Sequence, residues 1–266
     1  MAFTDGRKIT GVYTAEVLRV GRVTPHMVRV TFGGDDLRRL PLRGYDQWFR
    51  LFLPRVDGET DFDAVPAQFG LGGYLRYLTA RSGTRPPMRN YTVRELRPDA
   101  GELDVDFVAH GDAGVAGPWA QRAVPGERVA LIDQGRGFDP LADADAVLLV
   151  GDESALPAIG GILRDLPRET TGRAIVELPS PADIQPVAAP AGVEVSWVAR
   201  ADPHARPGAL ALAAVRDCLP ERPATLHAYL AGEQSLVAES RRHLVSLGVP
   251  KARIVFTGYW KAGRAG

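Results

Sequence analysis

AVLLVGDESALPAIGGIL (146–163) decides the architecture. AVLLVG (146–151) is a continuous apolar run of one strand's length, as expected for a strand buried on both faces. GDES then turns the chain, and ALPAIGGILRDL (155–166) reads as a helix. Strand, turn and helix in that order open a parallel α/β unit. The pattern continues with strands RAIVEL (173–178) and VEVSWV (193–198) and a helix at 209–219. A strand LHAYLAG (226–232), a helix at 234–247 and a strand RIVFTGYW (253–260) complete it. Upstream the pattern changes across GRGFDPLADAD (135–145). Short alternating runs precede it: VYTAEVLRV (12–20), MVRVTF (27–32), WFRLFLP (48–54), RNYTVREL (89–96), LDVDFVAH (103–110) and ERVALIDQ (127–134). Six strands separated by turns, with GRVTP (21–25) as one turn and 55–88 as irregular and mostly loop, predict a small antiparallel barrel or sandwich. The expected organisation is therefore β followed by α/β, with domains at 1–140 and 141–266.

Composition narrows the function. The 266 residues carry 32 Lys plus Arg against 32 Asp plus Glu, a formal net charge of zero. This argues against a nucleic-acid binder held by bulk charge. One cysteine, Cys218, excludes an internal disulfide and a thiolate-ligated iron–sulfur cluster. The five histidines show no His-x-x-x-His pair, so no metal site is expected. MAFTDGRKIT has no signal-type apolar core, and no run approaches the ~20 apolar residues of a membrane span. The expectation is a cytoplasmic protein without membrane or nucleic-acid partners.

Five constellations carry possible chemistry, each beside a plainer reading. In RNYT (89–92), Arg89 and Tyr91 share a strand face. Arg89 suits a phosphate and Tyr91 a flat ring, with Thr92 offering a hydroxyl or N–H. The plain reading is an exposed Arg and a half-buried Tyr. HGDAGVAGPWA (110–120) carries three glycines that let a phosphate approach backbone N–H groups, or else form a simple connection. GDESALPAI places Asp152, Glu153, Ser154 and Ala155 at the carboxyl end of a parallel strand, where α/β proteins bind ligands. Ser154 there also reads as a helix N-cap. AGEQSLV (231–237) opens a helix on the same sheet edge. GYWKAG (258–263) ends the last strand with Tyr259 and Trp260, which either close the core or cover a ring.

Taken in order, TPHMVRVTFGGDDL (24–37), RNYTVRE, LDVDFVAHGDAGVAGPWA, GDESALPAI, AGE and GYWKAG resemble the siderophore-interacting proteins, the ferric-siderophore reductase family. The resemblance covers nearly the whole chain. It implies the ferredoxin–NADP reductase superfamily fold: a six-stranded antiparallel FAD-binding barrel followed by a parallel α/β domain of nicotinamide-nucleotide type. It implies FAD held by Arg89, Asn90, Tyr91 and Thr92. Asp106, Val108, His110, Gly111, Asp112, Gly114, Val115, Ala116 and Trp119 line its adenine, ribose and pyrophosphate side. Asp152, Glu153, Ser154, Ala155 and Trp260 join from the second domain.

The implied activity is reduction of Fe(III) to Fe(II) in a bound ferric siderophore, which frees iron because hard oxygen ligands hold Fe(II) weakly. No general base is required, so no catalytic side chain is assigned. Lys251, Arg253 and Lys261 are the expected basic contacts to an anionic chelate, ahead of Arg50, Arg76, Arg81 and Arg85. Glu177 would face a ribose 2′-hydroxyl and disfavour NADPH. The donor expected is thus NADH or reduced ferredoxin, with NADPH less favoured because the basic C-terminal helix of some members has no counterpart here. A monomer is expected. Two other readings stay open: a general flavin or ferredoxin reductase, and an FAD-holding siderophore-binding accessory protein without nicotinamide turnover.

Overall fold

The computed structural model describes residues 11–66, 71–79, 83–109, 114–202 and 205–263, without the side chains of Leu71, Tyr74 and Arg76. The chain divides into two compact units, one of Met1–Val23 with Met27–Arg136 and one of Thr24–His26 with Gly137–Gly266.

The first unit contains strands β1 (Tyr13–Thr24), β2 (Met27–Gly33), β3 (Trp48–Phe52), β4 (Met88–Thr92), β5 (Glu95–Arg97), β6 (Glu102–Val108) and β7 (Arg128–Asp133). They form one sheet in the order β4-β3-β7-β1-β2-β6-β5. The expected strand 89–96 is split. Val93 donates its N–H to Gln47 O beside β3, and Arg94 donates to Asp104 O on β6. One run of chain therefore leaves one end of the sheet and joins the other, which makes it barrel-like. Thr92 and Val93 are both buried, and this break in alternation marks the change of partner.

Inward-facing residues alternate as the strand period requires. Val28, Val30 and Phe32 face Phe107, Val105 and Leu103 across the β2–β6 pair, and all six are buried. β1 runs through GRVT, so the turn lies at Pro25–His26 rather than across 21–25. The segment 55–88 is not all loop. It holds helix α1 (Leu71–Thr79), anchored by Tyr77, whose hydroxyl donates to Pro86 O at 2.6 Å and whose ring meets Phe52 edge-on. Two glycines early in that helix hid its period. A second short helix, α2 (Ala116–Arg122), packs Trp119 into the core.

The second unit is a five-stranded parallel sheet of β8 (Ala146–Gly151), β9 (Thr171–Leu178), β10 (Gly192–Ala199), β11 (Leu226–Glu233) and β12 (Ile254–Trp260), in the order β10-β9-β8-β11-β12. Helices α3 (Leu156–Asp165), α4 (Ala209–Asp217) and α5 (Gln234–Ser246) alternate with the strands. The chain moves outward from β8 to β9 and β10, then returns to place β11 on β8's other side. The crevice outside the carboxyl ends of β8 and β11 is thus the switch point at which open α/β sheets bind ligands. No helix among the described residues is long and apolar enough to cross a membrane.

Candidate functional site

In the first unit the RNYT strand, β4, lies at one end of the strand order and pairs only with β3, Phe49 opposite Tyr91 and Leu51 opposite Arg89. Arg89 and Tyr91 therefore share one face, while Asn90 and Thr92 share the other with Arg50 and Trp48. The Tyr91 ring lies against Phe107, centroids 4.3 Å apart and tilted by 42°. Burial raises the Tyr91 phenol pKa well above its ordinary value. The hydroxyl has no hydrogen-bond partner among the described residues. Arg89 donates to Met88 O at 2.8 Å and keeps a half-buried guanidinium beside that ring.

Several predicted site residues are otherwise engaged. Asp106 faces Arg29 across the β2–β6 pair and takes two hydrogen bonds from it, at 2.6 and 2.9 Å, with Arg94 at 3.3 Å. Its buried carboxylate is therefore a strand-pairing group. Val108 alternates onto the Asp106 side, away from Phe107 and Tyr91. Trp119 is core rather than turn: it stacks on Phe32 with rings 5° apart, meets Phe107 edge-on and donates its indole N–H to Glu127 at 2.9 Å. Ala116 is buried, and Val115 precedes the helix without a side-chain cap. Gly114 has φ +84°, a left-handed turn with open space where a side chain would stand, and a Cβ on Gly117 would meet Val108 O at 2.9 Å. His110, Gly111 and Asp112 lie outside the described residues.

In the second unit, four buried acidic side chains from three strand ends, those of β8, β9 and β11, gather at the carboxyl edge. Asp152 is fully buried. It accepts Glu233 N–H at 2.7 Å, Trp260 Nε1–H at 2.9 Å and Ser154 N–H at 2.9 Å, as well as the Ser154 hydroxyl. It thus ties β8, β11 and β12 together across the switch point. Burial raises its pKa, and the neighbouring Glu153 charge raises it further, against those hydrogen bonds. Gly232, with φ +121°, is required: a Cβ there would sit 2.7 Å from the Asp152 carboxylate. Ser154 is not the helix cap. Ala155, buried and without a capping side chain, precedes α3, and Ser154 serves Asp152 instead.

Glu177 does not await a ribose. It is wholly buried and accepts four hydrogen bonds: Arg200 Nη1 at 2.9 Å and the N–H groups of Gly208, Leu210 and Ala211 at 2.8, 3.0 and 2.9 Å. It caps α4. Arg200, overlooked in the sequence, also binds Glu153 at 2.8 Å. Its only signal is a charged residue closing the run VEVSWVAR. Glu233 caps α5 through Ser235 N–H at 2.6 Å and Leu236 N–H at 3.1 Å.

The expected basic cluster is not one site. Lys251 and Arg253 lie in the turn before β12, and Lys261 lies after it. Seven strand residues, roughly 20 Å of chain, separate them. Arg253 is paired with Asp143 and donates to Thr225 O, while Lys251 and Lys261 are exposed. Arg85 stacks over Tyr77 at 5.3 Å. Arg81 and the Arg76 side chain are not among the described groups. No acidic, His or Cys grouping among the described residues has the makings of a metal site.

Comparison with known proteins matches two family models in succession. The siderophore-interacting FAD-binding domain covers residues 16–137, and the siderophore-interacting protein model covers 144–263. The chain is 37% identical to the uncharacterized protein Rv2895c of Mycobacterium tuberculosis, over 95% of this chain and 91% of that one. It is 31% identical to the ferric vibriobactin reductase ViuB of Vibrio cholerae, over 94% of this chain and 89% of that protein. The crystal structure of a siderophore utilization protein from T. fusca superposes with a TM-score of 0.82 at 31% identity, over 96% of this chain and 95% of the other.

Proposed function

Because the chain belongs to the siderophore-interacting protein family, we propose that it is an FAD-dependent reductase that frees iron from a ferric siderophore. The observation that supports this most is the Arg89–Tyr91 face of β4. It sets a half-buried cation beside an aromatic ring whose phenol has no partner among the described residues. A flat, anionic ligand such as FAD suits both the positive charge and the ring. Bound there, FAD would supply an acceptor of electron pairs that can deliver single electrons to Fe(III).

The chain's own residues bind and orient. Arg89 carries the charge for a pyrophosphate. Tyr91, backed by Phe107, offers a ring edge or face, while Thr92, buried where β4 changes partner, turns its side chain to the opposite face. No side chain needs to move a proton. Fe(III) in a hexadentate oxygen shell requires proximity rather than a new protein ligand, and loses affinity once reduced. Lys261, exposed past β12, remains a candidate contact for an anionic chelate; Arg253 does not, because Asp143 holds it.

The test uses FAD-reconstituted protein reduced with dithionite under anaerobic conditions. A ferric catecholate and a quinone are then supplied separately, with an Fe(II)-trapping dye beside the chelate. The dye should colour, and the chelate should react faster than the quinone. No colour would overturn the proposal, and equal rates would favour a general flavin reductase.

A further inference from the structure

We infer that the carboxyl edge of the parallel sheet is closed to a pyridine dinucleotide, because the chain's own carboxylates occupy the places its phosphates would take. In an open α/β sheet, a dinucleotide sets its pyrophosphate on the unpaired N–H groups at a helix N-terminus beside the switch point. Three helices start at this edge, and each has most of its leading N–H groups engaged by the chain itself. At α4, Glu177 takes the N–H groups of Gly208, Leu210 and Ala211. At α5, Glu233 takes those of Ser235 and Leu236, and its other oxygen accepts Ala262 N–H at 3.3 Å. Before α3, Ser154 N–H goes to the Asp152 carboxylate, Ala155 N–H to Asp152 O and Leu156 N–H to Glu153 O, while Pro157 has none.

The charge balance points the same way. Asp152, Glu153, Glu177 and Glu233 are each at most 7% exposed, and the cation paired with this group is Arg200. A pyrophosphate entering the crevice would displace a carboxylate from its cap and bring two more negative charges beside four buried acidic side chains. Both costs oppose binding. Gly232, the kind of residue that elsewhere lets a phosphate approach the backbone, is here filled by the Asp152 carboxylate. Glu177, Glu233 and Asp152 are thus specificity determinants that exclude NADH and NADPH from this edge.

The consequence for the donor rests on the reductase reading. A flavin not served from this edge takes its two electrons singly, from a reduced protein electron carrier, which needs proximity and no phosphate cradle.

The test titrates the FAD-loaded protein with ADP-ribose by calorimetry, and with NADH and NADPH by nucleotide fluorescence. No saturable binding should appear into the millimolar range. A dissociation constant at or below about 100 μM for any of the three would overturn the inference. Glu233→Ser keeps a capping hydroxyl on α5 but removes the charge. It should bring ADP-ribose binding into the measurable range, at least about tenfold tighter than the millimolar wild-type limit, while hydrogen exchange reports α5 still protected. A protected variant that binds no better would also overturn the inference. Should the variant unfold, the wild-type titration decides. The same sample, reduced with dithionite, is offered a ferric catecholate. Failure to release Fe(II) there counts against the reductase reading alone.

Discussion

Replacing Glu177 with Gln should loosen the second unit far more than it alters any ligand. The carboxylate is wholly buried and holds four hydrogen bonds at 2.8–3.0 Å, three from the start of α4 and one from Arg200. Glutamine keeps one accepting oxygen and turns an amide N–H₂ toward other donors. At least two of the four bonds are lost, and Arg200 retains only Glu153. Hydrogen bonds to a charged group contribute about 1.5–3 kcal/mol each. Breaking a buried ion pair from one side costs about 3–5 kcal/mol, a range that already includes some of those bonds. The expected loss is about 4 kcal/mol, a large share of a typical domain stability of about 5–15 kcal/mol.

A two-unit chain need not unfold in one step, so the decisive readout is local. Hydrogen exchange at Leu210 and Ala211 should accelerate roughly a hundredfold or more in Glu177→Gln, with amides of the first unit unchanged. Urea unfolding of the second unit should shift to lower midpoint. Adding Arg200→Met should recover part of the loss, since the stranded cation is then gone. A change under about 1 kcal/mol, with α4 protection intact, would refute the reasoning. The carboxylate would then be open to solvent, as a ribose ligand should be.

Other consequences are as specific. Arg89→Ala should weaken FAD retention about ten- to a hundredfold, the value of a charge-assisted contact; flavin absorbance after gel filtration measures it. Trp119→Ala should destabilise the first unit by about 3–5 kcal/mol, read by near-ultraviolet circular dichroism on heating. Loss of FAD without loss of stability would instead return Trp119 to the cofactor. His227 is buried, stacked on Phe138 at 4.6 Å, and burial followed by repulsion from Arg253 depresses its pKa to about 4. The unfolded imidazole takes a proton near pH 6.5, so the unfolded state binds more protons as pH falls. This stability is complete above about pH 7 and is lost progressively toward pH 4. On the order of 2 kcal/mol should disappear between pH 7.5 and 4.5, and His227→Phe should remove that portion of the pH dependence. An unchanged profile in the variant would contradict the assignment.

Most of the fold was legible because period alone carries it. AVLLVG reads as a strand buried on both faces and LDVDFVAH as an alternating strand, and both are strands, β8 and β6. What escaped were the places where period fails. The change of partner at Val93–Arg94 depends on two distant backbone acceptors, Gln47 O and Asp104 O. The site was less legible than the fold. RNYT could be read because Arg89 and Tyr91 are two apart on one strand. Glu177 misled because a carboxylate at a strand end looks alike whether it meets a ribose or a helix start 31 to 34 residues later. Arg200 gave no local pattern, since its partners come from β9 and the β8 turn. Lys251 and Lys261 are near in sequence, but β12 runs between them.

The most direct test of the central claim is a single-turnover experiment. FAD-loaded protein, reduced with one equivalent of dithionite and freed of excess, is mixed anaerobically with a ferric siderophore beside an Fe(II)-trapping dye. The account predicts return of the oxidised flavin absorbance with about two Fe(II) trapped per FAD, by electron balance. Flavin that stays reduced in the presence of the ferric chelate would contradict it.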